Sequence, residues 1–316
     1  MSVQHTGTHE YADDPRNAEI LVSVNGQLRR RAEAVVSVFD SGFLLGDGVW
    51  EGLRVNHGHP AFLDQHLDRL YEGAVALALD IGRSREDLVR DVYRTLEAND
   101  MRDGVHVRLM VTRGVKATPY QDPRVTTGTA TVVIIAEHKQ PLPEIAESGI
   151  TLFTVHVRRP GPDIVDPKLN THSKLNDITA CIQAYTAGAD EALMLDPQGF
   201  VATCNSTHFF IVRRGELWTS SGDYNLGGIT RANVLRLARE VGLPTYERNF
   251  SLTDVYSADE AFVTGTFAGL VPVRSVDGRR IGAGDRPVMR RLRERYAEAV
   301  EHDVSERAAA KARAES

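Results

Sequence analysis

Cysteine is nearly missing from this chain. Cys181 and Cys204 are the only two in 316 residues. Two thiols cannot staple a fold with several bridges, so order must come from a packed core, and the usage suits a reducing cytosol. Long apolar runs are missing too. None reaches the roughly 18 residues from which a membrane helix is read. Nor is there a block of like charge: 43 acidic and 37 basic residues are dispersed along the chain, leaving a net −6. That gives nucleic acid or an anionic membrane surface no basic patch to hold. The opening stretch MSVQHTGTHEYADDPRN is polar and lacks the apolar core of a leader peptide. His5 and His9 could hold a metal there, but a frayed terminus is the simpler reading, and no metal set is expected. These absences point to a cytoplasmic globule with no membrane and no nucleic acid partner.

What is present is enough apolar residue, 42% of the chain, for a large core in one or two domains. After the aperiodic start, ILVSV, Asn25-Gly26 and a run ending in AVVSVF at Phe39 read as a hairpin, because Asn-Gly supplies the positive φ of a type I′ turn. DSGFLLGDGVWEGLRV follows, and Val49 to Val55 reads as a strand with Trp50, Gly52 and Arg54 on one face. Leu63, Leu67, Leu70, Ala74 and Leu77 mark an amphipathic helix between Ala61 and Leu79. A capping box at Ser84–Asp87 opens another through Leu88, Val92 and Leu96. Val105 to Thr112 alternates, with His106 and Arg108 on the face away from the valines. That pair divides evenly between a structural and a substrate-facing reading. Thr129 to Ala136 is a continuous apolar strand, HKQPLPEIAESG reads as a connector, and ITLFTVHV opens a further strand run.

The stretch from Asp166 to Val212 carries the most information: DPKLNTHSKLNDITACIQAYTAGADEALMLDPQGFVATCNSTHFFIV. A helix is expected from Leu175 to Thr186, on the spacing of Leu175, Ile178, Ile182 and Tyr185, with Gly188 as its stop. A strand over Glu191 to Asp196, a turn at Gly199 and two further strands complete it. With GADEALMLD, GITRANVLRLARE, ADEAFVTGT and DGVWEGLR in this order, the chain resembles the class IV, or fold type IV, pyridoxal-phosphate enzymes. These include branched-chain and D-amino-acid aminotransferases, (R)-selective amine transaminases and aminodeoxychorismate lyases. The resemblance spans roughly residues 20 to 300.

It implies an α/β fold of two domains, with pyridoxal 5'-phosphate in the cleft between them, and a homodimer. The divisions expected are a flexible extension over 1–17, a small domain over 18–138, a connector over 139–148, a large cofactor-binding domain over 149–302 and a tail over 303–316. By the same resemblance Arg54 holds the cofactor phosphate, as a bidentate guanidinium can. Ile229 and Thr230, at the start of the helix after Gly227-Gly228, and Gly265 and Thr266 complete the phosphate site. Phe43, His106, Arg108 and Phe267 would line the substrate pocket.

Two positions depart from the family. Aligned without a gap, Asn170 stands where the Schiff-base lysine belongs, and Lys174 stands at the family's ring-facing tyrosine, about one helical turn on. Lys174 is therefore the first choice for the lysine that bonds the cofactor. Lys168, on the same face if the lead-in is extended, is its rival. Thr203 replaces the family's glutamate at the ring nitrogen. A carboxylate about 3 Å from a pyridinium is worth roughly 5 kcal/mol at an effective dielectric near 20, and a threonine cannot supply it. The activity implied is transfer of an amino group between an amino acid or amine and a 2-oxo acid. A lyase of the aminodeoxychorismate or eliminating type, or a catalytically degenerate cofactor-binding protein, stays open beside it.

Overall fold

The computed structural model describes residues 7–315; residues 1–6, with His5, lie outside the described residues. Contacts gather the described residues into two units, one made of 13–140, 169–174 and 300–315, the other of 7–12, 141–168 and 175–299.

In the first unit, β1 (Leu21–Val24), β2 (Gln27–Arg30), β3 (Gly48–Asn56), β4 (His59–Pro60), β5 (Val105–Thr112) and β6 (Thr131–His138) form one sheet in the order β2-β1-β6-β5-β3-β4. Every pairing is antiparallel. The β1–β2 turn has φ 51° at Asn25 and 78° at Gly26, as its type requires. The strand expected to continue to Phe39 instead ends at Arg30; a 3-10 turn at Arg31–Glu33 follows, and Val35, Val36 and Val38 are exposed. Arg30 pairs with Leu21, the first residue of β1, and the chain before Leu21 holds a 3-10 turn at Pro15–Ala18, so the β-branched residues beyond Arg30 have no strand there to pair with. Helices α1 (Ser41–Leu45), α2 (Leu63–Ala76) and α3 (Arg85–Ala98) complete the unit. The capping box at Ser84 and Asp87 forms as the sequence reads. Leu63, Leu67 and Leu70 of α2 and Leu88, Val92 and Leu96 of α3 share one core with Val49, Leu53, Val55, Val105, Val107, Leu109 and Val111. Each such side chain contributes about 1.5–3 kcal/mol on full burial.

The second unit begins with α4 (Pro143–Ser148) and β7 (Ile150–Thr154), then α5 (Leu175–Thr186), β8 (Glu191–Leu195) and β9 (Val201–Cys204). It continues with β10 (His208–Arg213), β11 (Glu216–Thr219), α6 (Ile229–Glu240), β12 (Thr245–Glu247), α7 (Leu252–Tyr256), β13 (Glu260–Gly265), β14 (Gly269–Val276) and β15 (Arg279–Arg280). The last helix, α8 (Pro287–Glu315), contributes residues to both units and occupies the segment expected as a tail. The sheet runs β12-β11-β10-β13-β14-β7-β8-β9, with β15 on β14. Phe210 and Phe262 stack at 5.1 Å across β10 and β13 and pack with Val234, Leu235 and Ala238 of α6. The connector holds a helix, α4, too short to show a period but with Pro143 in its first turn and Ile145 buried. Helix α5 has the expected bounds, yet its apolar stripe faces outward: Leu175 is 73% exposed, Ile178 52% and Ile182 56%, while Ala180 and Ala184 make the packed face. The residues from 7 to 17, read as aperiodic, carry a buried Thr8 that donates to Glu191 and an Asn17 whose side chain bonds the His138 backbone.

One ionic group underlies β3. Glu51 is wholly buried; its Oε2 accepts from His66 Nδ1 at 2.6 Å and Arg69 Nη2 at 2.6 Å, and its Oε1 from Arg69 Nε at 2.8 Å. Burial pushes the Glu51 carboxyl up, but the bonds from His66 and Arg69 and the Arg69 charge outweigh it and leave it below the usual range. Burial holds His66 below the usual histidine range, so it is neutral and carries its proton on Nδ1. Glu51→Ala strands a guanidinium and an imidazole and is expected to cost about 3–5 kcal/mol, measured by urea unfolding. In the parent, the carboxylate's contribution is complete above its unfolded pKa of about 4.3 and fades as pH falls through the lower folded value.

Candidate functional site

The face of the first unit's sheet opposite α2 and α3 is cationic and aromatic. Strand register sets it out in rows: Arg54 opposite His106 opposite Glu137, then Gly52 opposite Arg108, then Trp50 opposite Met110. Gly52 leaves little room above it: a Cβ there would lie a tight 3.2 Å from His106 Nε2 and in ordinary contact, 3.5 Å, with Trp50 Cζ3. The Arg54 guanidinium donates to the carbonyl oxygens of Lys139 and, at 3.4 Å, Val105. Arg108 lies over the Trp50 ring, 3.9 Å from its centroid. Phe43, on α1, is 70% exposed.

Residues 169–174 attach to this face through backbone pairing with the start of β3. Trp50 N donates to Asn170 O at 3.0 Å and His172 N to Gly48 O at 3.0 Å, while Val49 bridges Thr171. Side chains reinforce the pairing. Asn170 Nδ2 donates to Trp50 O at 2.6 Å, Trp50 Nε1 donates to Thr171 O at 3.1 Å, and His172 Nε2 reaches Val49 O at 3.0 Å. Burial, with the Arg108 charge adding, outweighs the Val49 bond and lowers the His172 pKa, so the neutral ring donates that last bond through Nε2. Gly46 permits the approach: its φ is 69°, and a Cβ on it would lie 3.2 Å from Ser173 Cα.

Lys174 closes this segment. Its Nζ donates to Asn170 Oδ1 at 3.3 Å and lies 5.4 Å from the Trp50 ring centroid. The two residues meet across a non-helical strap that bends at His172, since α5 begins only at Leu175, and not from the helical turn that their spacing suggests. Lys168 is exposed and belongs to the other unit. The structure thus brings Arg108 and Lys174 to Trp50, a residue that sequence reasoning assigned only to a face, while His106 and Arg54 stand in rows further along the same face.

In the second unit, α6 starts at Ile229 with Gly228 as its N-cap and no side-chain bond to its first amides. Such free N–H groups and the helix dipole favour an anion. Thr230 is buried, its Oγ1 3.3 Å from Tyr296 Oη. Gly265 and Phe267 line a small cavity with Thr8, His9 and Thr207, where Phe267 stacks on His9 at 5.8 Å. Thr266, just past the end of β13, is half-buried. Thr264 Oγ1 is buried with no hydrogen-bond partner among the described residues, leaving an unused donor beside the Gly265-Thr266 turn. Thr203 Oγ1 donates to Thr207 O at 3.0 Å and stands 3.4 Å from His208 Nδ1. Arg231, in the first turn of α6, donates from Nε to His208 Nε2 at 2.9 Å. His208 and Arg231 were not singled out from sequence. The available signal was a histidine opening an otherwise apolar strand, HFFIV. Among the described residues no cluster of three or more His, Cys, Asp or Glu side chains is arranged to hold a metal, and no helix is long and apolar enough to cross a membrane.

The profile of the class IV amino-transferases matches residues 48–276, which includes the strap, the α6 N-terminus and the Thr264–Thr266 turn. The chain belongs to this family. Over 283 residues it is 41% identical to branched-chain-amino-acid aminotransferase-like protein 2 of Arabidopsis thaliana, covering 89% of this chain and 50% of that one. It therefore spans about half the length of that relative. A putative branched-chain-amino-acid aminotransferase of Methanocaldococcus jannaschii is 43% identical over 82% of this chain and 89% of its own. Among solved structures, the branched-chain aminotransferase of the thermophilic archaeon Thermoproteus uzoniensis with norvaline superposes with a TM-score of 0.81 at 30% identity, covering 90% of this chain and 96% of that one. The mixed α/β architecture is thus that of fold type IV branched-chain aminotransferases.

Gly46→Ala tests the seat of the strap. Forcing a side chain into the left-handed region costs about 1–2 kcal/mol, to which the encounter with Ser173 adds. The expected result is a lower midpoint in urea with an unchanged slope.

Proposed function

We infer that this chain is a pyridoxal-phosphate-dependent transaminase, moving an amino group between an amino acid or amine and a 2-oxo acid, and that Lys174 supplies the amine that bonds the cofactor. Its relatives carry the names of branched-chain and D-alanine aminotransferases, and the matched structures include complexes with phosphopyridoxyl and pyridoxamine phosphate ligands. The observation that carries the assignment within this chain is the 3.3 Å contact of Lys174 Nζ with Asn170 Oδ1. Asn170 occupies the family's lysine position, so the amine has moved along the strap yet still reaches the side chain at that position.

The residues fit the group. A phosphate needs N–H and hydroxyl donors; α6 begins without a side-chain cap on its first amides, Thr230 and Thr266 offer hydroxyls, and Thr264 Oγ1 is buried without a partner among the described residues. Pyridoxal phosphate, when bound, supplies the aldehyde that takes up the donor's nitrogen and the ring that delocalises electrons. The chain's own groups do the rest. Asn170 gives its amide N–H to Trp50 O, which turns Oδ1 toward Lys174 and fixes that amine over the indole. In its neutral form Lys174 is a nucleophile and a general base at Nζ. Arg108, held on Trp50, is a cation suited to a substrate carboxylate, and His106 stands in the adjacent row.

The outward stripe of α5 supports a homodimer. Leu175, Ile178, Ile182 and Tyr185 are exposed at helical spacing, and a second copy of this chain would bury them. Replacing Ile178 and Ile182 together by Glu is expected to halve the mass measured by light scattering.

Borohydride reduction of the holoprotein followed by peptide mapping locates the bonded lysine. A phosphopyridoxyl mass on the peptide containing Lys174 is expected. The same mass on Lys168 would overturn the assignment, and no labelled peptide from cofactor-saturated protein would overturn the function itself.

A further inference from the structure

Thr203 stands where the family has a carboxylate, and what stands behind Thr203 is unlike a simple loss of charge. We propose that His208, pinned by Arg231, is a positioning residue that makes Thr203 a neutral hydrogen-bonding partner for the cofactor's ring nitrogen and so holds that nitrogen unprotonated; this rests on the pyridoxal phosphate reading given above.

The geometry orders the protons. Arg231 Nε can only donate, so His208 Nε2, at 2.9 Å, accepts. The ring's single proton then sits on Nδ1, 3.4 Å from Thr203 Oγ1. Thr219 Oγ1, 2.7 Å from the same Nε2, can turn its proton there or to Phe209 O at 2.8 Å. Complete burial holds His208 well below the usual histidine range, and the Arg231 charge presses the same way, so the imidazole stays neutral. Held by Nδ1–H, the Thr203 oxygen keeps a hydroxyl proton that rotates about Cβ–Oγ1. It now points to Thr207 O, 3.0 Å away, and can be given to a ring nitrogen without moving the oxygen.

The charges nearby agree. Arg231 Nη2 donates to Ser220 O at 2.8 Å and to Glu247 Oε2 at 2.9 Å, and Glu247 is shared with Arg239. Burial pushes Glu247 up, but its two arginines outweigh that and keep it ionised, on the guanidinium and away from His208. Glu191 is the other acid in this region; it accepts from Thr207 Oγ1 at 2.7 Å and from Thr8, and burial pushes its carboxyl above the usual range. Among the described residues no carboxylate bonds Thr203 or His208. Phe210 meets the imidazole edge-on at 5.4 Å and contributes no charge. A pyridinium beside Thr203 would have no anion to balance it and a guanidinium one imidazole away.

The experiment loads the full chain with pyridoxal phosphate carrying ¹⁵N in its ring and reads the nitrogen resonance. A shift in the range of a free pyridine is expected, moving to the pyridinium range in Thr203→Glu. Equilibrium dialysis adds a second readout. His208→Met should weaken retention of pyridoxal phosphate by about tenfold, the loss of one hydrogen bond of this kind. The same variant should bind the analogue with carbon at the ring-nitrogen position as the parent does, and His208→Gln, which keeps an N–H donor, should restore the difference. A pyridinium resonance in the parent, or an equal loss for both ligands in His208→Met, would overturn the role of His208 while leaving the transaminase reading in place. Failure of the parent to retain pyridoxal phosphate at all would overturn that reading and this inference with it.

Discussion

The pairing of residues 170–172 with Gly48, Val49 and Trp50 is the contact on which the site of the first unit depends. Two backbone hydrogen bonds and three side-chain bonds zip a six-residue strap, far away in sequence, onto the start of β3. Because strand side chains alternate, the pairing decides which strap residues face the Trp50 row. Asn170 is thereby fixed by its own amide, and Lys174 is delivered to it at 3.3 Å. The register of β3 is in turn held from beneath by Glu51, whose carboxylate joins the strand to α2 through His66 and Arg69. A one-residue slip of β3 would turn Glu51 to the other face and Trp50 into the core, so the buried ionic group and the half-buried indole specify the same register.

Both units use neutral groups where a charge would be costly. In the first, His66 and His172 are neutral donors with defined tautomers, each tied to a group on β3. In the second, His208 lies between a guanidinium and a hydroxyl and passes a hydrogen bond without passing the charge. Buried polar groups arranged this way satisfy their partners and orient their neighbours. Glycine matters beside the strap as well: Gly46 holds a positive φ and would bring a Cβ to 3.2 Å from Ser173 Cα.

Much of the architecture was legible residue by residue. The strand Val105–Thr112, the helix Leu175–Thr186, the Asn25-Gly26 turn and the Ser84 capping box all follow from period and capping chemistry, which act over a few residues. Expectations failed where a local signal lacked its tertiary partner. AVVSV has strand composition but lies beyond the start of the strand that β2 pairs with, α4 is too short to show a period, and the apolar stripe of α5 faces away from the core that Ala180 and Ala184 join. An apolar stripe says that a helix has a face to bury; it does not say what buries it.

Order and spacing along the chain were enough to read the family blocks, and they put Asn170, Lys174 and Thr203 at the positions of interest. These are facts of order and spacing, and spacing is all that a linear chain displays. It took the folded chain to show that Lys174 reaches Asn170 across a bent, non-helical strap, that Trp50 is the surface shared by Arg108 and Lys174, and that His208 stands between Thr203 and Arg231. Asn170 and Trp50 are 120 residues apart, and Arg231 follows His208 by 23. Hydrogen bonds across such separations are fixed by strand register and helix docking, which no local propensity encodes.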